Sequence, residues 1–171
     1  LTYWNGGLHQ MVHELSAGAI HAQAVTRGGA SLKVLWRRTN AAACIAQGSF
    51  DHVVLQEDLP ETRRADFEDF GARFVKAART AGARPVLLMA WAYDRLPRCS
   101  QRDIALAHRH LADKLELEVA PVGLAFEHAT RRANETGAQL KLLGSDREHP
   151  SLAGSYLQAI VVYGTLTNAD P

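Results

Sequence analysis

Short apolar or β-branched runs alternate along this chain with amphipathic stretches of ten to eighteen residues, and that alternation is what parallel βαβ units require. Ile20 to Val25, His52 to Gln56 (HVVLQ), Pro85 to Trp91 (PVLLMAW) and Glu118 to Val122 read as strands. The PVLLMAW run is continuously apolar, which implies burial on both faces. Gly6 to Ala17 reads as a helix, with Leu8, Met11, Val12 and Leu15 on one stripe and Gly18 ending it. Ser31 to Gln47 reads as mostly helical, and Arg64 to Ala81 as a helix with Phe67, Phe70, Phe74 and Ala78 inward. Ser100 caps a helix to about Leu115, Leu124 to about Glu135 forms another, and Ser151 caps a last one reaching about Leu166. The expected fold is therefore α/β, a single domain of three α/β/α layers around an open, mostly parallel sheet.

At 171 residues, with 47% hydrophobic and 22% charged residues, the chain can build a full core without staples. A formal charge of +1 and no run of like charges disfavour nucleic acid and anionic membranes as partners. No apolar run approaches the roughly 18 residues of a membrane span. Cys44 and Cys99 form no disulfide framework or metal spacing, and no GxGxxG or GxxxxGK[ST] loop occurs. No cofactor is expected. His9 and His13 have a zinc-compatible spacing on a helix, yet they lie off its apolar stripe with no third ligand following, which fits a solvated face better.

In open parallel sheets ligands bind beyond the carboxyl ends of the strands, so the residues there carry the functional reading. Gly28 and Gly29 follow the first expected strand and would let backbone N–H groups approach an oxyanion, or simply turn the chain. Gln56 ends the second and reads equally as an oxyanion donor or a surface residue. Trp91 and Tyr93 follow the third; they could line a cleft or cover the sheet end. Late in the chain, Asp146 stands three residues before His149 in a loop that runs into Pro150 and the Ser151 cap, the one Asp-x-x-His in the sequence. A carboxylate so placed can hold one imidazole nitrogen and leave the other free as a general base.

Together these residues resemble the SGNH (GDSL-like) hydrolases, whose flavodoxin-like domain carries serine esterases. The stretch Asp146 to Leu157 (DREHPSLAGSYL) is similar to that family's final block, Thr26 to Leu32 (TRGGASL) to its glycine block, and His52 to Glu57 (HVVLQE) stands where its third block lies, with Gln56 in place of the usual Asn. The resemblance implies a Ser-His-Asp triad with His149 as base and Asp146 as its orienter, Gly28, Gly29 and Gln56 as oxyanion donors, and a small-molecule or carbohydrate ester as substrate. It also implies a nucleophilic serine at the end of a first strand. The opening Leu1-Thr2-Tyr3-Trp4-Asn5 looks like the continuation of that motif, so the serine and its strand are expected just before Leu1. Trp4, Trp91 and Tyr93 are then expected to line the substrate pocket. A catalytically inactive binding module on the same fold, and a flavodoxin-like ligand or signalling domain, are the other classes the sequence leaves open.

Overall fold

The structure, a computed structural model, describes residues 1–169. Its centre is a three-stranded parallel sheet in the order β1 (His52–Gln56), β2 (Arg84–Leu88), β3 (Glu118–Ala120). Val54 lies opposite Val86 and Leu88 opposite Ala120, so β2 is hydrogen-bonded on both edges. Successive side chains of a strand point to opposite faces, and β2 therefore feeds two cores. Leu87 packs with Leu55, Phe67, Phe70, Phe74, Ile104 and Leu111, while Val86 and Leu88 pack with Ala120, Phe126, Ala159 and Val162. The first core lies beneath α2 (Leu32–Arg38), α3 (Ala41–Gln47), α4 (Arg64–Thr80) and α5 (Gln101–Leu115). The second lies beneath α1 (Leu8–Leu15), α6 (Val122–Thr136) and α7 (Leu152–Thr167). The expected three-layer α/β/α arrangement is thus the observed one.

Several boundaries differ from the sequence expectation for local reasons. Ile20 to Val25 is not a strand. A strand exists only through its ladder partners, and among the described residues the outer edge of β1 pairs with nothing. The polar groups of Ile20 are satisfied locally instead: its N–H donates to Ser16 Oγ (2.9 Å), and its carbonyl lies 2.7 Å from His13 Nδ1. The first helix begins at Leu8 rather than Gly6, because Gly6 and Gly7 adopt φ near +90° and end a short 3₁₀ turn over Trp4–Gly6. The Ser31 to Gln47 stretch is two helices, broken at Thr39, whose extended backbone lets its hydroxyl donate to the Leu35 carbonyl and accept from the Ala41 N–H. The β2 ladder stops at Leu88, and Met89 continues with single bonds to Ala120 and Gly123. Predicted caps at Ser31, Ser100 and Ser151 are present, the second as a complete capping box with Asp103.

One close approach positions the last helix. A Cβ built on Gly154, in the first turn of α7, would stand 2.1 Å from the Leu142 carbonyl oxygen and 3.2 Å from Phe126. Gly154→Ala is expected to destabilise the protein by about 2 kcal/mol despite the better helix propensity of alanine, since backbone must move to admit the methyl group. Urea unfolding of the variant beside the parent protein checks this.

Candidate active site

The loop between α6 and α7 reaches the carboxyl ends of the strands and is closed on itself. Gly144 N–H donates to the His149 carbonyl (2.8 Å), Ser151 N–H to the Leu142 carbonyl (2.9 Å), and Leu143 bridges Pro150. Inside it Arg147 takes a left-handed conformation, φ +61°. This turn brings Asp146 under its own loop: Oδ1 accepts from the backbone N–H of Glu148 (3.1 Å) and His149 (3.0 Å), and Oδ2 stands 2.7 Å from His149 Nδ1. Hydrogen bonding from the imidazole, then from those two N–H groups, holds the Asp146 carboxyl below the usual carboxylate range. Among the described residues His149 Nε2 has no hydrogen-bond partner. The pair has the geometry of a general base and the group that fixes its tautomer.

The amino-terminal segment lies against this pair. The Trp4 ring is 4.3 Å from the His149 ring, and Trp4 stacks on Tyr3 at 6.1 Å. Asn5, in a left-handed conformation, donates from Nδ2 to the Pro150 carbonyl (3.1 Å) and Ser155 Oγ (2.8 Å). Gly28 lies at the Tyr3 hydroxyl, which a Cβ there would meet at 3.3 Å. Trp4 is thus partly exposed beside His149, and Gly28 stands at the far end of the same aromatic pair. Gly29 turns the chain at φ +62°. Gln56 ends β1, half-buried.

Trp91 and Tyr93 differ from expectation: each is only 2% exposed. Trp91 stacks flat on Phe126 at 4.3 Å and donates its indole N–H to the Glu148 carbonyl (2.9 Å). Tyr93 donates to Asp58 Oδ1 (2.6 Å). They are buttresses rather than open walls, because indole and phenol bury well once their polar tips find partners. Arg95 completes the bracing by pairing with both Glu148 and Glu61, and Arg147 donates to the Asp94 carbonyl (3.0 Å). The segment after β2 thus holds both the loop after β1 and the loop that carries His149.

Three nearby serines are engaged elsewhere. Ser151 caps α7 and donates to the Lys141 carbonyl, Ser31 caps α2, and Ser155 accepts from Asn5. Among the described residues no three His, Cys, Asp or Glu side chains converge in a metal-binding group.

Glu57 was not singled out in the sequence, and no spacing signals it. It is 1% exposed, with Oε2 accepting from Leu32 N–H (3.2 Å) and Oε1 from Asp58 N–H (2.9 Å). Burial pushes its carboxyl up to about 7, against those two hydrogen bonds. Burial also raises Asp58.

No family profile and no curated protein matches the chain, whereas solved structures do. A Geobacillus acetyl-xylooligosaccharide esterase, as an arginine variant, matches with TM-score 0.69 and 17% identity over 93% of this chain and 78% of its own. TesA matches with TM-score 0.64 and 16% identity, over 95% and 88%. At such identities the shared property is the fold, a parallel sheet between two layers of helices. A protein from Slackia heliotrinireducens assigned to the SGNH hydrolases matches more tightly, with TM-score 0.76 and 30% identity over 96% of this chain and 93% of that one. The chain belongs to the SGNH hydrolase family.

The high Glu57 pKa has a consequence for stability. The unfolded chain releases this proton near 4.5 and the folded protein near 7, so the native state binds more protons in between. The contribution of Glu57 to stability is then full below about pH 4.5 and declines as pH rises to about 7, by about 3 kcal/mol. Glu57→Gln is expected to remove that part of the decline. Urea melts of both proteins at pH 5 and pH 8 measure it as the difference between the two pH effects.

Proposed function

We propose that this protein is a serine ester hydrolase that removes an acyl or acetyl group from a small molecule or carbohydrate. The observation that carries the reading is the Asp146–His149 pair at 2.7 Å with its Nε2 unpartnered beside the aromatic pair Tyr3–Trp4. In this reading a serine supplied just before Leu1 attacks the ester carbonyl. His149 Nε2 takes the serine proton as the attack occurs, and Asp146 stabilises the imidazolium that forms. The negative charge that develops on the carbonyl oxygen is met by the N–H of Gly28 or Gly29 and by the carboxamide of Gln56. His149 then returns the proton to the leaving alcohol, and water repeats the sequence on the acyl-enzyme to release the acid.

Two features support placing the serine there. Trp4 packs on the His149 ring at 4.3 Å and Asn5 donates to the Pro150 carbonyl, so the amino-terminal segment lies beside the His149 loop. Ser31, Ser151 and Ser155 are already committed to caps and structural bonds. Trp4, exposed next to His149, is the wall against which the substrate packs.

A fluorophosphonate serine probe tests the reading on the product of the complete gene. Labelling at the serine preceding Leu1, lost in His149→Ala, is the expected result, with kcat for 4-nitrophenyl acetate falling by several orders of magnitude in that variant. Absence of labelling from the folded complete protein would overturn the hydrolase reading in favour of a binding module on the same fold.

A further inference from the structure

Glu57 is buried within one residue of Gln56, and its two oxygens hold two different segments. Oε2 accepts from Leu32 N–H, at the start of the helix that follows Gly28 and Gly29, while Oε1 accepts from Asp58 N–H, in the loop that continues β1. The sequence separation between the two bonded segments is wide: Glu57 and Leu32 are 25 residues apart. We infer that Glu57 is a positioning residue for the oxyanion site, a buried strut that fixes the glycine segment at a set distance from the end of β1. The inference rests on the proposed use of Gly28 or Gly29 and Gln56 as donors.

The chemistry of the side chain fits that task better than a packing role. Once ionised, as it is in the folded protein above about pH 7, the carboxylate presents an acceptor at each oxygen, so it can satisfy both backbone donors. A carboxamide of the same shape has one acceptor, and its NH₂ would meet one of the two N–H groups as donor against donor. An apolar side chain would satisfy neither and would leave both donors buried without partners. The charged neighbours do not replace it: Lys33, next to Leu32, is paired with Asp66 at 3.1 Å, and Asp58 directs its carboxylate to Tyr93. Oxyanion stabilisation depends on donors held in place before charge develops, and a shift of about 1 Å in such a group costs on the order of 10²-fold in rate. A strut of this kind acts on the transition state and leaves ground-state binding of the ester alone.

The test uses the complete gene product at pH 8, where Glu57 is ionised, with 4-nitrophenyl acetate as substrate and phenylboronic acid as an analogue of the tetrahedral state. Glu57→Gln, which keeps one of the two acceptors, is expected to lower kcat about tenfold with KM within about twofold, and to weaken boronate binding by the same factor as kcat. Glu57→Ala is expected to lower kcat by about 10²-fold, again without a matching change in KM. Glu57→Gln is isosteric and decides the matter even where Glu57→Ala does not fold. Parental kcat and boronate affinity in folded Glu57→Gln, alongside an inactive His149→Ala, would overturn the strut and leave the triad standing. A rise in KM with kcat unchanged would overturn it as well. Full activity in His149→Ala would remove the triad reading, and the strut with it.

Discussion

Burial of β2 on both faces is the constraint around which the molecule is arranged. Its alternate side chains belong to different cores, Leu87 to one and Val86 with Leu88 to the other, so neither helical layer can be assembled without this strand. The strand also sets the level at which the functional loops emerge. Directly beyond it, Trp91, Tyr93 and Arg95 turn the end of the sheet into a brace, Trp91 and Arg95 reaching Glu148 on one side and Tyr93 and Arg95 reaching Asp58 and Glu61 on the other. Core and candidate site are therefore consecutive parts of one segment.

That arrangement explains how an exposed pair can hold a defined geometry. Asp146 and His149 sit in a loop, where local stability is ordinarily low. Here the loop is fastened by backbone bonds at its neck, by Asn5 from the amino-terminal side, and by Trp91 from below. The side chains that would touch substrate are few, and most of the polar residues around them serve to hold those few. Sites of this build lose precision when a supporting residue is changed, long before they lose their fold.

Much of this was legible in the sequence where a side chain's local pattern and its final environment agree. The HVVLQ and PVLLMAW runs, the Phe67–Phe70–Phe74 stripe and the Ser100 and Ser151 caps announce themselves by period or by capping chemistry, and the structure has them. Asp146 and His149 were legible because their contact is three residues long. Ile20 to Val25 has strand composition without a partner, and composition cannot reveal a missing ladder. Trp91 and Tyr93 have the composition of a pocket wall, yet tertiary packing turned them inward against Phe126 and Asp58. Glu57 and Asn5 could not be found from spacing at all, since their partners lie 25 and 145 or more residues away and a buried Glu looks like any other Glu in a string of letters.

Asn5 also bears on when the site comes into being. Its amide joins residue 5 to Pro150 and Ser155, contacts that span nearly the whole chain. Closing so long a loop costs conformational entropy that local helices and neighbouring strands do not face, and contacts of that range form late in folding. A chain emerging from the ribosome can build β1, α4 and β2 well before residue 150 exists. The Trp4–His149 stack belongs to the last stage, when both ends of the sequence are present and docked. The candidate catalytic centre is thus absent from partly made or partly folded chains.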